Sequence, residues 1–160
     1  MKTILTSWAA AMAIIAAAPA AQAEPKQTLM PDSEQGRAFM EQFGFSEAVI
    51  HKDTVYLSGV IAGPTPEGMT DEESYARTFA YLGTILKRAG SSWDDVIDIT
   101  TYHVDIEQSM PPLAAAKNRF VKAPFPAWTA IDIDRLFTPD GLVEIKITAR
   151  LTPKDSKPAE

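Results

Sequence analysis

The amino-acid sequence predicts an α+β domain of two layers, in which two α-helices lie over one β-sheet. Two observations support this fold class. The predicted elements follow one another in the order β-β-α-β-α-β-β, and no internal repeat or linker indicates a second domain. About 137 residues remain after an N-terminal segment of 23 residues, which is a typical length for a single domain.

The first 23 residues contain the three parts of a secretory signal peptide. Lys2 supplies a positive charge, residues 4–17 are almost all apolar, and Ala21-Gln22-Ala23 matches a cleavage site. The apolar run of about 14 residues is shorter than the roughly 20 residues that a membrane-spanning helix needs. We therefore expect cleavage after Ala23, no membrane association of the mature chain, and a periplasmic or secreted location.

The composition narrows the class of partner. The chain has 21 acidic and 15 basic residues, a net charge of −6, and removal of Lys2 with the signal peptide makes this about −7. Nucleic acids and anionic membranes favour basic surfaces, so neither is an expected partner. With two His and no Cys, the sequence has no metal-site spacing and no disulfide. Small molecules or proteins remain as partners.

The N-terminal half is predicted to contain an arm and a hairpin. Residues 24–43 are polar with little periodicity, and we interpret them as an N-terminal arm with one short strand near residues 27–30. The hairpin strands are residues 45–50 and 54–60, joined by the polar turn His51-Lys52-Asp53. A loop rich in Gly and Pro follows at residues 63–68.

Two helices are predicted. The first begins at the capping box Thr70-Asp71-Glu72-Glu73 and ends near Gly90, and it carries one apolar stripe. The stripe consists of Tyr75, Phe79, Leu82 and Leu86. The second helix is predicted to begin with Ser109 as N-cap and Pro111 in its first turn, and to end before Pro124.

Three further strands are predicted at residues 95–105, 127–133 and 142–151, followed by a flexible tail at residues 153–160. The strand at 95–105 is apolar on both faces, with Ile97 and Ile99 on one face and Val96 and Tyr102 on the other. This pattern favours burial of the uncovered sheet face by self-association.

Four short motifs, in this order and spacing, resemble the RidA/YjgF family. They are Phe45-Ser46-Glu47-Ala48-Val49 with Val55-Tyr56-Leu57-Ser58-Gly59, then Ala89-Gly90-Ser91-Ser92-Trp93-Asp94-Asp95-Val96, Phe125-Pro126-Ala127 and Val143-Glu144-Ile145. The resemblance covers about residues 44–151, and we expect the domain to span residues 44–152. It implies a chorismate-mutase-like fold, with one mixed sheet and two helices on one face, and a homotrimer that forms a small barrel with ligand clefts between subunits.

The resemblance also implies a chemistry that needs no cofactor. Active members of the family hydrolyse reactive enamines and imines, holding the substrate carboxylate with an arginine and positioning water with a glutamate. In this chain Trp128 stands where the arginine is expected. An indole offers one N–H and an apolar face, so it cannot replace the two parallel N–H donors and the positive charge of a guanidinium. The run Trp128-Thr129-Ala130 is similar to a divergent YjgH-like branch that lacks the arginine.

Seven side chains are candidates for the site. Glu144 is the candidate catalytic residue, because burial beside Trp128 would raise the pKa of its carboxyl into a useful range. The candidates for ligand binding are Phe45, Ser58, His103, Trp128, Thr129 and Arg135. Structural alternatives stay open. They are core packing for Phe45, packing in the trimer core for Trp128, a strand contact for Ser58 and a hydrogen-bonded structural role for His103. For Arg135 the alternative is a surface ion pair, and for Glu144 it is an ion pair with Lys146 or with another cation across an interface.

The expected function is small-molecule binding in an interfacial cleft, without the arginine-dependent 2-imino acid deaminase activity. The alternative is a hydrolase that acts on imine-like or cyclic amide substrates with Glu144 and water. An RNase activity is disfavoured by the acidic composition.

Overall fold

The computed structural model describes residues 25–152, which form three α-helices, one 3₁₀ turn and a mixed β-sheet of seven strands. In chain order the elements are β1 (Gln27–Leu29), α1 (Glu34–Phe43), β2 (Ala48–His51), β3 (Thr54–Leu57), β4 (Val60–Ala62), α2 (Asp71–Arg88), the 3₁₀ turn (Trp93–Asp95), β5 (Val96–His103), α3 (Ile106–Phe120), β6 (Ala127–Asp132) and β7 (Val143–Arg150). The predicted signal peptide and tail lie outside the described residues. Within residues 25–152, no helix is long and apolar enough to span a bilayer.

Strand β7 is the centre of the sheet. The strand order is β1-β2-β3-β7-β5-β6, and β4 pairs with the N-terminal half of β7 beyond the end of β3. All pairs are antiparallel except β5 with β6, which α3 connects as a crossover helix. The predicted α+β class with a mixed sheet is therefore confirmed.

Helices α2 and α3 cover one face of the sheet, as predicted. Alternate residues of β7 point into the core while the residues between them point to the opposite, open face. The core residues of β7 pack with side chains from both helices, namely Val143, Ile145, Ile147 and Ala149 with Phe79, Leu82, Leu86 and Leu113. The catalytic candidate Glu144 therefore lies on the open face.

A bulge in β5 changes which of its residues face the core. The register with β7 shifts between Val96 and Asp98, so Val96 and Ile99 are both buried, whereas Ile97 is exposed. The predicted grouping of Ile97 with Ile99 was wrong, because it assumed a regular strand with strict alternation. Tyr56 and Ile131 still expose apolar surface on the uncovered side of the sheet.

The segment predicted to be an arm contains a helix that the sequence analysis missed. The predicted short strand is present as β1, and α1 follows it. Ser33 caps α1 by accepting a hydrogen bond from the N–H of Gly36, and Gly44 ends the helix in the left-handed conformation. No residue of α1 is buried, although Phe39, Met40 and Phe43 stand on one face at helical spacing in the sequence.

Two predicted boundaries also differ. The second hairpin strand is interrupted at Ser58, and its continuation β4 pairs with a different part of β7. Helix α3 is capped by Asp105, which accepts from the N–H of Gln108, and not by Ser109. Ser109 lies inside the first turn of α3 and is buried. Since Asp and Ser are equally good N-caps, the sequence did not distinguish them. The capping box of α2 is confirmed.

A buried ion pair connects the N-terminal segment to α2. Glu47 is 2% exposed, and it accepts hydrogen bonds from Arg88 Nη1 and Tyr81 Oη, each at 2.6 Å. Burial and the contact with Glu47 raise the pKa of Tyr81 to about 12. Arg88 also donates to the carbonyl of Met30 and pairs with Asp32 at 3.1 Å. One guanidinium thus joins α2 to the residues on both sides of α1.

We expect Arg88→Met to lower the free energy of unfolding by about 2–4 kcal/mol, because the Glu47 carboxylate then stays buried without its cation. Urea unfolding of the mature chain measures this change. Arg77→Met is the matched control, since Arg77 is exposed on the same helix and forms no ion pair there, and it should cost less than about 0.5 kcal/mol. Equal losses for the two variants would contradict the anchoring role of Arg88.

Candidate functional site

A cavity of about 600 Å³ opens beside α1, between α2 and the start of β4. Its apolar lining includes four phenylalanines, Phe39, Phe43, Phe45 and Phe137, together with Met40, Val60 and Ile61. Its polar lining includes Glu47, Ser58, Tyr81, Thr138 and Glu144. Three of the predicted site residues, Phe45, Ser58 and Glu144, are therefore brought together in one chain.

The four phenylalanine rings form a continuous wall. The ring centroid of Phe39 lies 4.9 Å from that of Phe43 and 6.1 Å from that of Phe45, and the centroids of Phe43 and Phe137 are 5.4 Å apart. The four side chains are nevertheless 38–65% exposed. A contiguous apolar surface that stays exposed is typical of a binding site or an interface.

Glu144 lies at the floor of this cavity, with its carboxyl against the backbone of Gly59. A Cβ placed on Gly59 would lie 1.8 Å from Glu144 Oε1, so only a glycine allows this approach. Burial raises the pKa of Glu144, and the nearby ammonium of Lys146 opposes this shift. The ion pairs within residues 25–152 are both formed by Arg88, so Glu144 and Lys146 are not in direct contact.

The hydroxyls of Ser58 and Tyr81 already donate to other residues of the protein. Ser58 Oγ donates to the carbonyl of Ser46 at 2.6 Å, and Tyr81 donates to Glu47. Each oxygen can therefore only accept a hydrogen bond from a ligand. Ser58 makes the strand contact of the structural alternative, because it holds the start of β2, and it also lines the cavity.

Arg135 lies at an adjoining opening of about 460 Å³. This opening shares Ser58, Gly59 and Glu144 with the phenylalanine-lined cavity, and it adds Lys146. Arg135 and Lys146 are both exposed, so the cationic side of the site is in contact with solvent.

Trp128 and Glu144 lie on opposite faces of the sheet within one chain. Trp128 pairs in register with the core residue Ile99, so its indole lies on the helix side, where Nε1 donates to Thr101 Oγ1 at 3.1 Å. Lys117 Nζ lies 4.7 Å from the indole centroid. The next residue, Thr129, is exposed on the open side. Neither Trp128 nor Thr129 lines the two openings beside Glu144.

His103 is completely buried between two hydroxyls. Its Nδ1 lies 2.7 Å from Ser109 Oγ and its Nε2 lies 2.9 Å from Thr101 Oγ1. Ser109 Oγ donates its one hydrogen to the carbonyl of Asp105, so it can only accept from the imidazole. We therefore assign the imidazole proton to Nδ1, and Nε2 accepts a hydrogen bond from Thr101 Oγ1. Burial lowers the pKa of His103, and Asp132 opposes this shift. The neutral, enclosed imidazole favours the structural alternative for His103.

The sequence analysis did not identify Phe39, Phe43, Tyr81 and Phe137 as site residues. Phe39 and Phe43 stand one helical turn apart between the capping residue Ser33 and Gly44, and this signal was available in the sequence. Phe137 lies in a loop, where no periodicity indicates its position. Within residues 25–152, no cluster of three or more His, Asp or Glu is placed to hold a metal ion.

We expect Gly59→Ala to displace the Glu144 carboxyl toward solvent, because a methyl group occupies the place of Oε1. The pKa of Glu144 should then fall toward the ordinary value for a glutamate, which an NMR titration of ¹³C-labelled glutamate carboxyls measures. Gly63→Ala is the control, since the nearest atom to its new Cβ is 3.9 Å away. An unchanged titration of Glu144 in Gly59→Ala would contradict the close contact.

We expect the buried neutral state of His103 to make stability depend on pH. The pKa of His103 is lower in the folded chain than the ordinary value of 6.5, so below pH 6.5 the unfolded chain binds a proton that the folded chain does not. The free energy of unfolding should therefore fall as the pH drops through 6.5, and less steeply in His103→Gln. NMR of the wild type gives a second measurement, in which imidazolium signals of His103 at pH 6.5 would oppose this assignment.

Comparisons with known proteins agree with the fold. Residues 36–151 match the sequence model of the family described as Endoribonuclease L-PSP. The chain is 32% identical over 111 residues to the RutC family protein YjgH of Escherichia coli K12, which covers 67% of this chain and 82% of that protein. It is similar to the solved structure of protein YjgH, with a TM-score of 0.66, 27% identity, and coverage of 81% of this chain and 98% of that chain.

A second solved structure, a YjgF family member from Neisseria meningitidis, gives a TM-score of 0.63 and 27% identity, with coverage of 81% of this chain and 97% of that chain. The family model spans most of the described residues, and the relatives match in sequence as well as in fold. The chain therefore belongs to the RidA/YjgF family, the Endoribonuclease L-PSP family of sequence models, and fits its YjgH-like branch.

Proposed function

We propose that this protein is an exported homotrimer of the RidA/YjgF family that binds a small molecule in a cleft between subunits, without the arginine-dependent 2-imino acid deaminase activity. The observation that carries the proposal is the position of Trp128, which replaces the expected arginine and lies on the opposite face of the sheet from Glu144. Export is supported by the signal-peptide pattern of residues 1–23.

The separation of the two candidates supports a cleft shared between copies. Phe45, Ser58 and Glu144 line a cavity of one chain, whereas Trp128 and Thr129 lie on the edge strand β6. Only a second copy could bring that edge to the cavity. Exposed apolar side chains on the open face, such as Tyr56 and Ile131, provide surface for such an association.

The surroundings of Trp128 support the proposal that this position does not bind a substrate carboxylate. Its only N–H is already donated to Thr101. The neighbouring Lys117 is buried. Its ammonium lies over the indole ring in a cation–π contact and donates to Asn118 Oδ1 at 2.9 Å. Neither group offers the pair of parallel N–H donors with which an arginine holds a carboxylate.

A second candidate function is hydrolysis of an imine-like or cyclic amide substrate. It is favoured by the raised pKa of Glu144 at the floor of an apolar cavity. In this reaction the carboxylate would accept a proton from water as the water oxygen attacks the carbon of the C=N or amide group. The protonated Glu144 would then give that proton to the nitrogen, so that the C–N bond breaks and the nitrogen leaves as ammonia or an amine. Glu144→Gln separates the two functions, because it should abolish turnover by a hydrolase but only change the affinity of a binding protein.

We expect the purified mature protein to release no ammonia from 2-aminoacrylate above the uncatalysed rate, and Trp128→Arg to gain activity because it restores the guanidinium. Ammonia is measured with a coupled assay on 2-aminoacrylate generated in the cuvette. Trp128→Gln is the matched control, since it removes the indole without adding charge.

Light scattering on the same samples measures the oligomeric state. A trimer with inactive wild type and active Trp128→Arg supports the proposal. An active wild type would show that another group, with Arg135 the first candidate, holds the substrate carboxylate. A monomer would contradict the shared cleft.

A further inference from the structure

The polar atoms that face the phenylalanine-lined cavity are mostly hydrogen-bond acceptors. The Glu144 carboxylate accepts only, and the oxygens of Ser58 and Tyr81 have already donated their hydrogens to Ser46 and Glu47. Among the described lining residues, Thr138 is the one whose side-chain hydroxyl forms no hydrogen bond within the chain, so it can still donate to a ligand. A ligand that brings hydrogen-bond donors therefore fits this cavity better than one that brings acceptors.

The walls of the cavity favour an apolar body and tolerate a positive charge. The faces of aromatic rings attract cations, and four phenylalanine rings lie around the opening. No lysine or arginine is among the described residues that line the cavity itself. Arg135 and Lys146 belong to the adjoining opening, and because both are exposed, solvent and salt weaken their field.

A carboxylate ligand is disfavoured at the same place. It would lie beside the Glu144 carboxylate and meet acceptor oxygens from Ser58 and Tyr81. Buried like charges repel each other, and a buried acceptor that faces another acceptor remains without a hydrogen bond.

We propose that the cavity binds a primary amine with an aromatic or branched apolar body, whose ammonium group donates to Glu144 and Ser58 while the body packs on the phenylalanine wall. The volume of about 600 Å³ is in the range of small-molecule sites. This inference names the ligand class of the cleft and rests on the proposed small-molecule function. The lining residues that carry the inference all belong to one chain, so the ligand class is tested separately from the oligomeric state.

The test compares three ligands of nearly equal shape, namely benzylamine, benzyl alcohol and benzoate, by isothermal titration calorimetry on the mature protein at neutral pH. Benzylamine should bind about tenfold more tightly than benzyl alcohol, because its ammonium forms a charge-assisted hydrogen bond with a carboxylate. Benzoate should bind most weakly. Binding of benzoate as tight as that of benzylamine would overturn the proposal.

Two variants locate the ligand. Glu144→Gln should remove most of the preference for benzylamine over benzyl alcohol, while Phe43→Ala should weaken both ligands by about threefold to tenfold and reduce the preference much less than Glu144→Gln does. Phe125→Ala is the matched control, because Phe125 is 70% exposed and lies outside the cavity, and it should change neither affinity. Thermal unfolding checks that each variant is folded. A benzylamine preference that persists in Glu144→Gln would contradict the assigned contact.

Failure of this inference is distinguishable from failure of the proposed function. If the protein is a trimer and Trp128→Arg gains ammonia release, but benzylamine shows no preference, the ligand class is wrong and the proposed function stands. If benzylamine binds through Glu144 but the protein is a monomer, the ligand class stands and the cleft between subunits is wrong.

Discussion

The buried ion pair between Glu47 and Arg88 is the interaction on which the candidate site depends. Glu47 lies just before β2, and Arg88 at the end of α2 holds it together with the carbonyl of Met30. The residues on both sides of α1 are thereby attached to α2. A charge this deeply buried is tolerated only when it is paired and hydrogen-bonded, and here Tyr81 supplies the remaining donor. Together with the pairing of β1 and β2, this anchor fixes the residues on both sides of α1, the helix that carries Phe39 and Phe43.

The side chains of strand β7 alternate between the hydrophobic core and the open face of the sheet that carries the candidate site. Its inward residues pack under α2 and α3, and the residues between them, Glu144 and Lys146, face the open side. The interruption between β3 and β4 places Gly59 against the carboxyl of Glu144, where a side chain at Gly59 would displace the carboxyl. The core residues and the Glu144 carboxyl therefore belong to the same strand, and the packing of that strand limits the movement of Glu144.

The location of Trp128 supports the proposal that family membership does not transfer the deaminase activity to this chain. The fold is shared with the RidA/YjgF family. At the position where the resemblance implies an arginine, the indole of Trp128 takes part in a buried network that runs through Thr101 to His103. Trp128 contributes to packing on the helix side of the sheet, and this structural role does not require a ligand. Function has to be argued from the site, because one fold supports many activities.

The sequence by itself determined the α+β class, the capping box of α2, the family and the grouping of Phe45, Ser58 and Glu144, because these follow from local periodicity, capping chemistry and motif order. It did not reveal α1, the bulge after Val96 or the capping of α3 by Asp105. Only the tertiary structure placed Trp128 and Glu144 on opposite faces and added Phe137 to the cavity. The physical reason is that strand register, bulges and loop contacts are decided by pairing between distant segments, and a local pattern carries no information about such pairs.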